Sequence, residues 1–294
     1  MSHIAAPSVR SYAAEKGVDL AAVARTTGRE TLAREDVDRH LGGGAPTPAP
    51  PASRYWEVDH AAYGPVTVEP LPRMAMVAAA NLAAANLLIP QVTHHDRADM
   101  RAVEAFRAEV KAEAAARGLR LTALAFHVKA LAQCLTEFPR FNSSLDATGE
   151  RLVRKHYVHV GIAVDTPQGL MVPVVRNVDR KGLWQIADEI ADLAGRAQRR
   201  KVRAEEMGGA SMTISNLGGI GGIGFTPIVN PPEVAILGLT RTEVVPLWNG
   251  EGWAPVPMVP LDLSYDHRVI NGADAARFLV RHAALIADPR RLLI

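Results

Sequence analysis

Two kinds of apolar periodicity alternate along the chain. Four segments place apolar residues three and four positions apart, as on one face of an amphipathic helix; they are residues 102–117, 122–137, 183–198 and 273–287. Five shorter segments are alternating or continuously apolar, which is typical of strands; they are residues 158–164, 171–175, 211–214, 233–239 and 257–265. Because the two kinds interleave without a strict strand–helix–strand rhythm, they predict an α/β layer fold with a mixed sheet.

A segment without large apolar side chains interrupts this pattern. Residues 42–53 consist of glycine, proline and alanine with one threonine and one serine. This composition is typical of a linker, because it cannot form a core. It divides the chain into two predicted domains, residues 1–41 and residues 54–294.

The segment before the linker predicts two short helices. Pro7 and Ser8 begin the first, with Ser8 as the candidate N-cap, and Gly17 ends it. The second covers about residues 33–41, with Val37 and the last leucine on its apolar face. A core this small is marginal alone, so the pattern indicates a docking module tethered to a larger body.

Charge and composition narrow the classes of function. The 294 residues include 33 Lys and Arg against 31 Asp and Glu, so no basic excess indicates nucleic-acid binding. The N-terminus lacks the regions of a signal peptide. The most apolar stretch, residues 74–90, contains Asn81 and Asn86 and is short for a membrane span. These features predict a cytoplasmic protein that binds neither nucleic acid nor membrane.

The sequence offers no metal-binding pattern. Cys134 is the only cysteine, which excludes an intrachain disulfide, and its helical surroundings predict a buried, inert thiol. His94 and His95 are adjacent and would face opposite sides of a strand, and no acidic cluster has metal spacing. We therefore predict no metal site.

The sharpest candidate for chemistry is a histidine at the end of the last predicted strand. Asp266, His267 and Arg268 follow that strand directly. A histidine there is held rigidly yet reaches a cleft, as a general base requires, and Arg268 disfavours a second positive charge beside it. A histidine with a structural bond to Asp266 explains the same local pattern, which leaves both interpretations open. Asn271 is a candidate to orient a neighbouring group.

A glycine-rich segment follows the predicted strand that ends near Ser215. Gly219, Gly221 and Gly224 match the spacing of the dinucleotide-binding fingerprint, which also requires a helix to begin at the third glycine. The prolines that follow exclude a long helix there, so we reject nucleotide binding. The glycines would instead allow close approach of a ligand or another subunit. Ser215 is a candidate hydroxyl donor into the same cleft as His267, and a buried serine bonded to the backbone is the alternative.

Several motifs together resemble the dihydrolipoamide acyltransferases of 2-oxo-acid dehydrogenase complexes. Residues 266–272 resemble the signature Asp-His-Arg-x-x-Asp-Gly of that family, and the other matching segments are residues 89–93, 141–145, 161–177 and 227–238. Residues 6–37 resemble the peripheral subunit-binding domain that precedes this catalytic domain. The resemblance implies a two-layer α/β fold with a mixed sheet, like that of chloramphenicol acetyltransferase, preceded by a small all-α subunit-binding domain.

The resemblance also implies a reaction, the exchange of an acyl group between dihydrolipoyl and coenzyme A thiols. A thiol has a pKa of about 8.5, so a base is needed near neutrality. His267 would take the proton and Ser215 would stabilise the oxyanion. Coenzyme A, as acetyl-coenzyme A, and the lipoyl group would be substrates; no metal is needed, and the sequence assigns no residue to cofactor binding. Asn271 replaces the consensus aspartate but also occurs in pyruvate-type members, which favours an acetyl group.

The implied partners are further copies of the chain and other enzymes. In the family the site lies at the interface of a homotrimer, and trimers assemble into larger cores. Residues 290–294 resemble the apolar tail that joins trimers, and the alternative is a tail packed on its own subunit. Residues 1–41 would bind the decarboxylase and dihydrolipoamide dehydrogenase components, although the loop at residues 25–31 has lost most of the family's glycines.

Two alternatives to an active core remain. No lipoyl domain or lipoyl attachment site is recognised in the sequence, so the lipoyl domain is expected in trans or on a longer form of the chain. A non-catalytic scaffold with the same fold would explain this feature and the altered head. A coenzyme A-dependent acyltransferase for another small acceptor would share the motifs.

Overall fold

The computed structural model describes residues 4–27, 31–41, 58–167 and 169–293. They fall into two compact units, Met1–Pro70 and Leu71–Ile294. The predicted linker at residues 42–53 lies outside the described residues. The domain limits 1–41 and 54–294 therefore stay predictions.

The first unit is a small helical module. Its described elements are β1 (Ile4–Ala5), α1 (Pro7–Glu15), α2 (Leu20–Thr27), β2 (Thr31–Leu32) and α3 (Arg34–Leu41). The two short strands pair in parallel. Each of these elements contributes at least one apolar side chain to a single core, which includes Val9, Val23, Leu32 and Val37. The mainly helical character of this unit agrees with the prediction for the N-terminal segment; its role in binding other subunits stays a prediction.

Three details of this module differ from the prediction. Ser8 is not the N-cap, because α1 already begins at Pro7, whose fixed φ suits the first helical position. Helix α2, which lies between the two predicted helices, was not predicted. Leu41 is 49% exposed and does not share the buried face of Val37.

The second unit alternates helices and strands. Its helices are α4 (Arg73–Leu88), α5 (Arg101–Glu109), α6 (Lys111–Ala116), α7 (Ala123–Glu137), α8 (Leu183–Gln198) and α9 (Gly272–Ala287). Its strands are β3 (Gln91–Asp99), β4 (Ser143–Leu145), β5 (Leu152–Arg154), β6 (Val160–Thr166), β7 (Gly169–Met171), β8 (Val174–Val175), β9 (Met212–Asn216), β10 (Ala235–Leu239), β11 (Glu243–Trp248) and β12 (Trp253–Asp266).

One mixed sheet organises this unit. Its central order is β3-β12-β10-β9-β6, with β9 parallel to both of its neighbours and β12 antiparallel to β3 and β10. Strand β11 pairs with the first half of β12, and β7 and β8 pair with β6. The predicted α/β fold with a mixed sheet is confirmed.

The two faces of the sheet differ in chemistry. One face carries Ile162, Ile214, Leu237 and Leu263 in cross-strand register, and it packs on helices α7, α8 and α9 to form the main core. The opposite face carries polar residues such as Thr93 and Ser264, whose hydroxyl oxygens lie 2.8 Å apart. One face of the sheet is therefore buried under helices, and the other carries polar side chains that could take part in a reaction.

Most predicted elements of this unit exist, with local differences. The predicted helix at residues 102–117 is interrupted at Val110, and the predicted strand at residues 171–175 is divided between β7 and β8. Strands β3 and β11 were not predicted. Of the nine residues in β3 only Val92 and Ala98 are apolar, so the strand lacks a hydrophobic pattern and depends on pairing with β12.

The apolar stretch at residues 74–90 forms helix α4, in which Ala85 is the buried residue. In the described part of the chain, no helix combines the length and the apolar character needed to cross a bilayer.

Two histidines lie in the core between α7 and α9. Nδ1 of His127 is 3.0 Å from Nε2 of His282, and the rings stack with centroids 5.3 Å apart. Burial lowers the pKa of His127 to about 4. Burial and repulsion by His127 hold the pKa of His282 well below its ordinary value. Both imidazoles are therefore neutral in the folded protein near pH 7.

We expect this pair to make the fold acid-sensitive. Unfolded histidines bind protons below about pH 6.5, whereas the folded pair excludes them down to about pH 4. The free energy of unfolding is therefore highest above pH 6.5 and decreases as the pH falls, by up to about 1.4 kcal/mol per pH unit for each histidine. Thermal unfolding between pH 7 and 4 measures this slope, and the double variant His127→Leu/His282→Leu should flatten it. An equal slope in that variant would show that other groups cause the acid sensitivity.

Candidate active site

His267 is the first residue after β12. Its backbone N–H donates to the carbonyl of Pro90 at 3.0 Å, and the N–H of Asp266 donates to the carbonyl of Val234 at 2.9 Å. These bonds anchor the turn to the start of β3 and to the start of β10. The side chain is exposed, and its ring lies 5.8 Å from that of Tyr265. The backbone is thus fixed while the imidazole is accessible, and a general base needs both a fixed position and access to the proton that it takes.

Asp266 is bound to Arg268, not to the histidine. The carboxylate is 3% exposed and accepts hydrogen bonds from Nε of Arg268 at 2.9 Å and from Nη2 at 2.6 Å. This geometry removes the interpretation of His267 as a histidine satisfied by Asp266. It also means that the positive charge of Arg268 is paired with the carboxylate of Asp266.

Asn271 begins the last helix. Its Oδ1 accepts the N–H of Asp274 at 2.8 Å, which makes Asn271 the N-cap of α9. The cap fixes where α9 starts and therefore where the turn from His267 ends. An orienting role in catalysis stays a prediction.

Ser215 lies near the end of β9, on the polar face of the sheet. Its cross-strand neighbours are Ala163 on β6 and Gly238 on β10. The residue is half-buried, and within the described residues its hydroxyl makes no hydrogen bond. The alternative of a serine bonded to the backbone therefore lacks support in the fold.

The strand register separates Ser215 from His267 within one chain. Ser215 is level with Gly238, which is level with Asp262 on β12. His267 lies five residues beyond Asp262, so a rise of about 3.3 Å per residue places it roughly 16 Å away along the strand. The prediction that both side chains enter the same cleft is therefore wrong for a single chain.

Two clefts border the sheet. A cleft of about 590 Å³ borders the His267 turn and is lined by Asn81, Leu88, Thr148, Glu233 and Arg268, among others. A cleft of about 580 Å³ lies on the polar face and is lined by His95, Gly224, Glu243 and Asp262, among others. The described residues contain no group of three or more side chains arranged to hold a metal ion.

No pattern in the sequence indicated that His95 pairs with Asp262. Nδ1 of His95 lies 2.6 Å from Oδ1 of Asp262, which is 2% exposed, and the N–H of Phe225 donates to the second oxygen at 3.1 Å. A Cβ at Gly238 would lie 2.6 Å from the ring of Phe225. Gly238 leaves room for the ring of Phe225, and Asp262 accepts its N–H, so both fix the position of the loop that follows Ser215. This loop contains no helix, as predicted from its prolines.

Comparison with known proteins gives a consistent family. A family model described as 2-oxoacid dehydrogenases acyltransferase (catalytic domain) matches residues 63–294. The dihydrolipoyllysine-residue acetyltransferase component of the pyruvate dehydrogenase complex of Pseudomonas aeruginosa is 48% identical, over 99% of this chain and 55% of that protein. The chain spans about half the length of the curated relatives it matches.

Solved structures agree. A structure of Azotobacter vinelandii dihydrolipoamide acetyltransferase, from work on the role of a serine, a histidine and an asparagine in its catalytic mechanism, is 51% identical with a TM-score of 0.79. It covers 81% of this chain and 98% of its own. The cubic core of a pyruvate dehydrogenase multienzyme complex is 52% identical, with the same coverage and TM-score.

Proposed function

We propose, because this chain belongs to the 2-oxoacid dehydrogenase acyltransferase family, that it transfers an acetyl group between a dihydrolipoyl thiol and coenzyme A. One observation carries the proposal. The serine, histidine and asparagine of the Azotobacter vinelandii mechanism are separated by 52 and four positions, and so are Ser215, His267 and Asn271. A core of matching length and the same spacing supports the same roles here.

His267 is the base in this proposal. Its imidazole takes the proton of the attacking thiol, and the thiolate adds to the thioester carbonyl to form a tetrahedral oxyanion. The carbon–sulfur bond to the other thiol then breaks, and the imidazolium returns the proton to that sulfur. One thioester replaces another, so no oxidant or metal enters the balance.

Ser215 supplies the hydrogen bond to the oxyanion. Its hydroxyl has no hydrogen-bond partner among the residues that the structure describes. Because it is held on a central strand, it is oriented before the charge develops. Because the register separates Ser215 from His267 by roughly 16 Å within a chain, the two meet only if a second copy contributes one of them. The proposal therefore includes a homotrimer with sites between subunits.

Larger assembly and partner enzymes are further parts of the proposal. Leu292 is buried in its own subunit and Leu293 is 67% exposed, while Ile294 lies outside the described residues. We propose that the exposed end of the tail joins trimers into a larger core, and that residues 1–41 bind the decarboxylase and dihydrolipoamide dehydrogenase components. The lipoyl group arrives on a lipoyl domain, in trans or in cis, and the location is cytoplasmic.

A transfer assay tests the proposed activity. The protein should transfer acetyl groups from acetyl-coenzyme A to dihydrolipoamide, and faster than to amine or alcohol acceptors of similar size, because a thiol ionises most readily near neutrality. Formation of free coenzyme A and of acetyl-dihydrolipoamide measures the rate. No transfer to any acceptor would favour a non-catalytic scaffold, and a preference for an amine or alcohol would favour another acyltransferase activity.

A further inference from the structure

A buried carboxyl lies near both the strand that carries Ser215 and the turn that carries His267 in the same chain. Glu233 lies two residues before β10 and is 5% exposed. Its Oε1 accepts two hydrogen bonds, from Oγ1 of Thr213 at 2.9 Å and from Nδ2 of Asn230 at 3.0 Å. Within the described residues, its Oε2 is buried and has no hydrogen-bond partner.

This bonding pattern suits a neutral carboxylic acid. A buried carboxylate needs donors at both oxygens, and one bare anionic oxygen is costly. The positive charge of Lys155 lowers the pKa of Glu233, but its Nζ donates to the carbonyl of Ala210 at 2.9 Å. Consistent with this, burial raises the pKa of Glu233 to about 7, although the bonds from Thr213 and Asn230 act in the opposite direction.

The contacts of Glu233 reach both catalytic elements. Thr213 lies two residues before Ser215 on the same face of β9, because side chains alternate along a strand. A Cβ at Gly161 would lie 2.6 Å from Oγ1 of Thr213, so the threonine is tightly confined. On the other side, the carbonyl of Val234 accepts the N–H of Asp266, the residue before His267.

We propose that Glu233 is a positioning residue for acyl transfer: its protonated side chain ties the strand that carries Ser215 to the turn that carries His267, and its ionisation loosens this tie. The inference rests on the proposed function of these two residues. Ionisation would leave Oε2 as a bare buried anion, and the segment would have to open to admit water.

Other charged groups near Glu233 are already engaged or more exposed. Asp266 is paired with Arg268 and Asp146 with Arg151, at 2.6 and 2.8 Å. The charged or titratable side chains that line the two clefts bordering Glu233 are Asp146, Arg154, Lys155, His156, Tyr157, Asp266 and Arg268. All of these side chains are present both in the wild type and in the variant Glu233→Gln, so their titration cancels when the kcat of the variant is divided by that of the wild type.

The first test is the ratio of kcat between Glu233→Gln and the wild type from pH 6 to 8.5. Glutamine keeps the acceptor oxygen and cannot ionise, so the ratio should rise about threefold or more across this range. All other ionisable groups of the protein and of the substrate are common to the variant and the wild type. Glu251→Gln, in the exposed turn before β12, is the matched control and should give a flat ratio. A flat ratio for Glu233→Gln would overturn the proposal.

The second test does not use activity. A folded pKa of about 7 against an ordinary value of 4.5 means that the stability from Glu233 is complete below pH 4.5 and is lost as the pH rises to about 7. The unfolding temperature of Glu233→Gln, relative to the wild type, should therefore be higher at pH 8 than at pH 5, by about 5 °C. An equal difference at both pH values would show that Glu233 is ionised in the fold and would overturn the inference.

The two tests separate the inference from its premise. A wild-type protein without transfer activity at any pH would overturn the proposed function, and the positioning role with it. Normal wild-type transfer with a pH-independent ratio would overturn the positioning role alone.

Discussion

Replacement of His267 by alanine is expected to lower kcat for acetyl transfer by roughly 1,000-fold, within the range that a positioned base contributes. The fold should not change, because the imidazole is exposed and the anchoring bond to Pro90 comes from the backbone. The rate of transfer from acetyl-coenzyme A to dihydrolipoamide, with the unfolding temperature measured alongside, tests both halves of this expectation.

The matched control is His60→Ala, which removes an exposed imidazole from the first unit and should leave the rate as it is. If His267→Ala retained activity within about threefold of the wild type, His267 would not be the base.

A mixture of two weak variants is expected to recover activity. Ser215→Ala should lose about 100-fold in kcat, as the removal of one oxyanion donor typically does. Sites that take Ser215 from one copy and His267 from another become intact when the two variants share a trimer. Random mixing of equal amounts makes roughly a quarter of such sites intact, so about a quarter of the wild-type rate should return.

The mixture must form by unfolding and refolding together, or by coexpression, so that subunits exchange. Separately refolded variants, combined afterwards, are the control and should stay weak. If the mixed trimers are as inactive as their parents, both residues of a site belong to one chain, and the register argument fails. The assay is sensitive, since a quarter of the wild-type rate far exceeds the residual activity of either variant.

Local patterns predicted the elements of the second unit well where packing needs a regular apolar face. Helices α7, α8 and α9 each bury such a face against the sheet, and their limits agree with the sequence to within one residue. Strand β3 was missed for the opposite reason. It is held by backbone pairing with β12 and by polar contacts, neither of which leaves an apolar period in the sequence.

In the candidate site, too, the features that depend on local sequence were predictable and those that depend on pairing between distant segments were not. His267 and Ser215 follow strands, and that local position was visible in the sequence. Their separation was not, because it depends on the register of β9, β10 and β12, which is set by pairing between distant segments. Glu233 and Asp262 were missed as well, since a buried acidic side chain is recognised by the groups that surround it in the fold.

The N-cap at Asn271 has an evolutionary consequence. Asparagine and aspartate cap helices about equally well, so exchange between them at this position costs the fold little. A lineage can therefore gain or lose a negative charge four residues from His267 without first acquiring a compensating mutation. Since either residue can cap α9, the stability of the fold does not decide which of them occupies position 271.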